Sequence, residues 1–290
     1  MKILKLKREP FWKDALILND EEIFSDLTGI KASSLFLGKY SLPQVVAVLE
    51  KRNFFKEARK RNLWPLDYRL DSSAFPVQRL QIFLKEKSQQ NLIVDLKIKI
   101  GGYTPPPGLE DAAIFKSASF LVLEWLTLQN PGLGFSEKRP ALPGQAHPGL
   151  NLRKKVMDIF IYLARLMHKD GLLAFPAYFH NAVLFSRYFH FRNPRKEAEV
   201  LAIRRAFSHM PFKQLAWVVH LNCLRREDGT VYEWTAEEQI NPLTRPLKEY
   251  FDSRPYKDNA RVGRKSPAFS VDWGEFERKS RDIRSFCGSA

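Results

Sequence analysis

The chain has 290 residues, 44% hydrophobic and 13% aromatic, with 47 Lys and Arg against 32 Asp and Glu, a formal net charge of +15. That composition excludes a disordered, collagen-like or low-complexity chain and leaves ample sequence for a core, in one large domain or two joined ones. The charge asks for an anionic partner: nucleic acid, an acidic membrane surface or a phosphorylated small molecule.

Residues 1–40 carry short apolar runs broken by Pro10, Gly29 and Gly38 and read as strand and loop. Ser41 and Pro43 then open an amphipathic helix that runs to Asn62, with Val45, Val48, Leu49, Phe54 and Ala58 on its apolar side. Its polar side holds Lys51, Arg52, Lys56, Arg59, Lys60 and Arg61, which reads first as a solvated face. Residues 77–84 and 91–100 alternate apolar with polar side chains and predict an antiparallel pair, closed by Gly101-Gly102 and the prolines 105–107. The run 119–128 is too dense for either period and leaves strand or buried helix open; a central strand is chosen, because Asn130-Pro131-Gly132 stops it sharply and its length suits one. Glu124 is the lone acid in that run, where burial would raise its pKa, so it needs a partner or a use.

A Gly- and Pro-rich loop, 131–151, leads into a helix from Leu152 that Gly171 caps at its end. A strand at 172–179, an aromatic helix at 181–189 and a helix at 195–209 follow. Residues 215–224 and 231–234, joined by Glu227-Asp228-Gly229, predict a β-hairpin, and the tail beyond Arg254 reads as irregular.

The segment with most chemistry is the junction of loop 142–151 with its helix. Arg153, Lys154 and Lys155 crowd the first helical turn, although cations there oppose the helix dipole. Free N–H groups at a helix start, a glycine at 149 and added positive charge suit a phosphate or pyrophosphate. A solvated Pro/Gly turn accounts for the same residues about equally well. His147 lies in this loop and has a ring N–H to offer an anion.

These features resemble the GNAT acyltransferase superfamily over residues 77–192: the acid-bearing strand 120–128, the loop Gln145-Ala-His-Pro-Gly-Leu-Asn151 opening a helix, the strand after Asp170-Gly171, and Asn181 leading to an aromatic helix. The resemblance implies an α/β (α+β) fold, a mixed, largely antiparallel central sheet flanked by helices, with residues 1–76 packed on it, an extension at 193–253 and a basic tail at 254–290. It implies that acetyl-CoA or another acyl-CoA binds at Gln145, His147, Gly149, Leu150, Asn151, Arg153, Lys154 and Asn181. Glu124 then corresponds to the general base and Tyr188 to the general acid of acyl transfer to an amine. The chain departs from the family pattern in one extra residue between Gln145 and Gly149, in Asn151 where a small residue is expected, and in His190-Phe191 for a terminal Gly-Phe.

The rival class is a protein that binds nucleic acid through its basic surface without catalysis, with Trp12, Trp64 and Trp273 available for stacking. Cys223 and Cys287 have no Cys or His neighbours at zinc spacing, and the six histidines form no metal motif, so no metal site is expected. No run approaches the roughly 18 apolar residues of a bilayer span. A cytoplasmic protein is expected.

Overall fold

The computed structural model describes residues 35–102, 113–136, 138–262 and 269–284. Expectations for residues 1–34, the proline triplet and the last residues of the tail lie outside these. Helices α1 (Leu42–Lys51) and α2 (Phe54–Arg59) precede β1 (Leu66–Asp71), β2 (Gln78–Leu84) and β3 (Leu92–Gly102). Then come α3 (Ala113–Ser117), β4 (Ser119–Leu128), α4 (Arg153–Leu166), β5 (Gly171–Ala174), α5 (Phe179–Phe185) and β6 (His190–Phe191). The remainder is α6 (Pro194–Ala206), α7 (Phe212–His220), β7 (Leu224–Arg225), β8 (Gln239–Pro242), α8 (Arg245–Asp252), α9 (Arg254–Val262), β9 (Ser270–Val271) and α10 (Trp273–Arg284).

Seven strands form one sheet in the order β1-β2-β3-β4-β5-β8-β6, with β4 and β5 its parallel neighbours and every other pair antiparallel. This is a mixed, largely antiparallel sheet flanked by helices, as expected. Alternation along β4 and β5 sends Leu121, Leu123 and Leu172 into a core under α1, α2 and α4. Phe120, Val122 and Leu173 face the other way, into a core with Ile240, Leu247, Phe251 and Tyr256. A third cluster gathers α5, α6, α7 and residues 269–276 around the fully buried Tyr232.

Several local expectations are corrected. The helix predicted to Asn62 breaks at Asn53, whose φ of 60° is left-handed, giving α1 and α2. Gln44 Oε1 accepts from Ser41 N at 2.8 Å and closes the start of α1. Gly171 does not cap α4: His168 takes the left-handed turn at φ 53°, and Gly171 opens β5. A Cβ at Gly171 would fall 2.6 Å from the Asn241 carbonyl, so β8 packs there because the side chain is absent. The strand predicted at 172–179 stops at Ala174, before Pro176. Residues 212–220 are helical, since a helix buried in the third cluster gives the same dense apolar run as a strand. The expected hairpin survives as its turn and a short pairing beyond it: Arg226 N donates to Thr230 O and Tyr232 N to Leu224 O, each at 2.8 Å, with Arg225 bridged to Val231. Within the tail, α9, β9 and α10 replace irregular chain.

Candidate functional site

β4 and β5 pair from Phe120 opposite Gly171 to Leu123 opposite Ala174, then part. β4 runs on to Leu128 beside β3, while Pro176 turns the other strand away toward α5. The first large side chains beyond the paired stretch, Trp125 and Phe175, are 43% and 39% exposed. An opening at the carboxyl ends of neighbouring parallel strands is where open α/β sheets accept ligands.

One wall is the loop between β4 and α4. It returns along the end of β4, with Asn130 N donating to Pro148 O at 2.7 Å and Leu150 N to Leu128 O at 3.3 Å. Gln145 folds onto its own loop: Leu142 N donates to its Oε1 at 3.0 Å. Leu150 is buried, and its carbonyl accepts from Arg61 Nε at 2.9 Å. Gly149 is exposed, and Asn151 supplies a left-handed turn with φ 55° just before α4. No side chain caps α4, so the first-turn amides at 153–155 have no helical acceptor. The three cations of that turn have different fates. Arg153 Nη1 donates to Leu184 O at 2.6 Å and ties α4 to α5; Lys154 is exposed beside the loop; Lys155 lies farther round the helix. His147 is half-buried within the loop.

Glu124 corrects the expectation of a buried acid. Lys97 pairs with Trp125 and Ile98 with Leu123, which makes Glu124 the extra residue of a β-bulge. The bulge turns its carboxylate outward to Lys99 Nζ at 2.6 Å, with both side chains about a third exposed. Tyr188 lies beyond α5, partly buried against the first core, and its carbonyl accepts from Asn241 Nδ2. Asn181 sits half-buried in the first turn of α5, its amide donating to Tyr178 O at 3.0 Å. No hydrogen bond or ion pair between described residues joins Glu124 to Tyr188.

Four residues not singled out from the sequence for this site, Tyr178, His180, Trp217 and His220, form the other wall. Tyr178 precedes α5 directly, and any Cβ on Gly144, which has φ 74°, would collide with its hydroxyl end. The Tyr178 ring stacks on His180 at 5.3 Å and meets His220 at 5.5 Å, while Trp217 packs on His220 at 5.6 Å. Trp217 Nε1 donates to Ala141 O at 2.9 Å, joining α7 to the loop. His180 is 3% exposed and makes no hydrogen bond through its side chain with a described residue. Burial first, and then the nearby His220, push its pKa down to about 4; burial also lowers that of His220. The sequence signal was Tyr178-Phe179-His180 just past a strand, hidden when that strand is drawn through Phe179.

Among the described residues no group of three or more His, Cys, Asp or Glu gathers as metal ligands, and no helix is long and apolar enough to cross a membrane. No family model matches the chain, and no curated protein does. Among solved structures it is similar to the crystal structure of AtaTR bound with AcCoA, at a TM-score of 0.25 and 9% identity, over 55% of this chain and 77% of that one. At that TM-score the overlap decides nothing about the site.

Proposed function

We propose that the chain is an N-acyltransferase that takes an acyl group from acetyl-CoA or another acyl-CoA and passes it to an amine. The observation that carries this reading is the parting of β4 and β5 between two unlike walls, the uncapped start of α4 and the hydroxyl end of Tyr178. The pyrophosphate lies against the first-turn amides of α4, where exposed Gly149 leaves the approach open and Lys154 and His147 add donors. Gln145, Leu150 and Asn151 shape that loop, Arg153 fixes α4 against α5, and Asn181 lines the far side.

In the reaction the amine nitrogen attacks the thioester carbonyl, the new C–N bond forms, and the C–S bond breaks. The amine gives up one proton and the departing thiolate takes one. Glu124, held on its bulge by Lys99, accepts the amine proton, directly or through a water. Tyr178 returns a proton to the thiolate; it is preferred to Tyr188 because it faces the loop while Tyr188 packs in the core.

Calorimetry with acetyl-CoA tests binding. Saturable heat is expected, and Gly149→Glu, which places a carboxylate in an open position, weakens it at least tenfold; no heat at millimolar acetyl-CoA overturns the reading. With an amine acceptor found by screening, Tyr178→Phe lowers kcat by about 100-fold while Tyr188→Phe leaves it within a few-fold.

A further inference from the structure

The outer face of α4 carries a second feature, which starts at Lys155 and runs on to Arg165. Lys155, Asp158, Tyr162 and Arg165 recur at helical spacing on one side of it and face the elbow between α1 and α2, where Lys51 and Arg52 stand. Between them is an open cleft of about 440 Å³. Its lining bears four cations against one carboxylate, Asp158. The Arg52 guanidinium lies 3.6 Å from the centre of the Tyr162 ring, which holds that cation across the cleft. Among described residues the side chains of Lys155 and Arg165 form no hydrogen bond or ion pair.

Helix stability does not explain this arrangement. Lys155 stands in the first turn of α4, where the helix dipole disfavours it, and it has no carboxylate partner there. From Lys155 to Arg165 the helix rises about 15 Å, long enough for its cations to meet more than one phosphate of a single strand. A single strand, unlike a duplex, also brings unpaired bases that an exposed ring can stack on. The elbow leads to α2, where exposed Lys56 continues the charge, Lys60 being paired with Glu57 at 2.9 Å, and Arg59 lies 3.9 Å over the ring of Trp64, itself 40% exposed and able to take a base.

We propose that the cleft between the α1–α2 elbow and α4 binds the phosphate backbone of a single-stranded nucleic acid. The site is separate from the opening at β4 and β5 and does not depend on acyl transfer.

Fluorescence anisotropy with labelled single-stranded 12-mers, uridine and thymidine, over 50 to 300 mM KCl tests this on the full chain. Saturable binding that weakens with salt is expected. Lys155→Glu and Arg165→Glu each weaken it about tenfold or more and lower the salt slope by about one. Asp158→Asn tightens it, because it removes the cleft's carboxylate. Arg204→Glu, an equal charge reversal on the exposed side of α6, is the control for general attraction to a basic protein. The proposal is overturned if no 12-mer binds at 50 mM KCl, if Arg204→Glu weakens binding as much as the cleft variants do, or if a 12-base-pair duplex binds more tightly than the single strand. Thermal melts of each variant separate lost affinity from lost folding, and Lys155→Gln and Arg165→Gln give milder versions. Acetyl-CoA heat measured on Arg165→Glu, about 15 Å along α4 from the first turn, stays unchanged, so failure of one reading is distinguishable from failure of the other.

Discussion

Two polar clusters are buried in the second half of the chain, and they are built in opposite ways. Around Lys196, 5% exposed, every charge has a partner: Nζ reaches Glu199 at 3.0 Å and Thr235 at 3.2 Å, with Glu237 at 3.9 Å and the Trp234 ring at 4.7 Å. Glu199 also accepts from the Tyr232 hydroxyl at 2.9 Å and from both terminal nitrogens of Arg226 at 3.2 Å. His180 is as deeply buried, yet it has ring neighbours and no hydrogen bond from its side chain to a described residue. The first cluster spends its polarity on holding α6 to residues 226–237. The second holds an imidazole beside the rings of Tyr178 and His220 without such a partner, an arrangement that suits a site better than a scaffold.

The largest effect should come from emptying the first cluster. Lys196→Ala takes the cation from Glu237, leaves Glu199 with Arg226 alone beside a buried gap, and is expected to cost about 3–5 kcal/mol in urea unfolding. The second cluster should reveal itself through pH. His180 has a folded pKa of about 4, below its unfolded value, so between the two the unfolded chain binds the extra proton. Stability is therefore full above about pH 6.5 and falls as pH drops toward 4, by roughly 3 kcal/mol from this group. Urea unfolding at several pH values should show that loss, and His180→Phe should flatten it; an unchanged slope would remove the neutral imidazole from the comparison. Smaller still, Gly144→Ala must adopt a positive φ and push Tyr178 aside, costing about 2 kcal/mol, and Tyr178→Leu in the same chain should recover part of it.

The sequence made the middle of the sheet readable and its edges obscure. Strand 119–128 was visible because a long apolar run ends abruptly at Asn130-Pro131-Gly132, and α4 because its apolar residues recur at three and four. Glu124 could not be placed the same way, since a bulge is a property of two strands in register and the extra residue is known only from the partner, β3. The first-turn cations of α4 looked alike in sequence. What separates Arg153 from Lys155 is a carbonyl, Leu184, supplied by a helix that comes later in the chain. α7 was misread because Val218 and Val219 favour a strand locally, and burial in the third cluster overrides that preference. β8 gave almost no signal: of its four residues only Ile240 is strongly apolar, and Pro242 ends it.

That late strand has a consequence in time. β8 lies between β5 and β6, although it follows both in the chain. While the protein is being made, the edge of β5 is finished at Ala174 but waits for Gln239, 239 − 174 = 65 residues on. At 5–20 residues per second that wait is roughly 3–13 s. Throughout it Gly171–Ala174 offers bare backbone groups to any passing strand, with Gly171 adding no side chain to block one. The order of synthesis thus leaves the seam beside the candidate site among the last parts of the sheet to close.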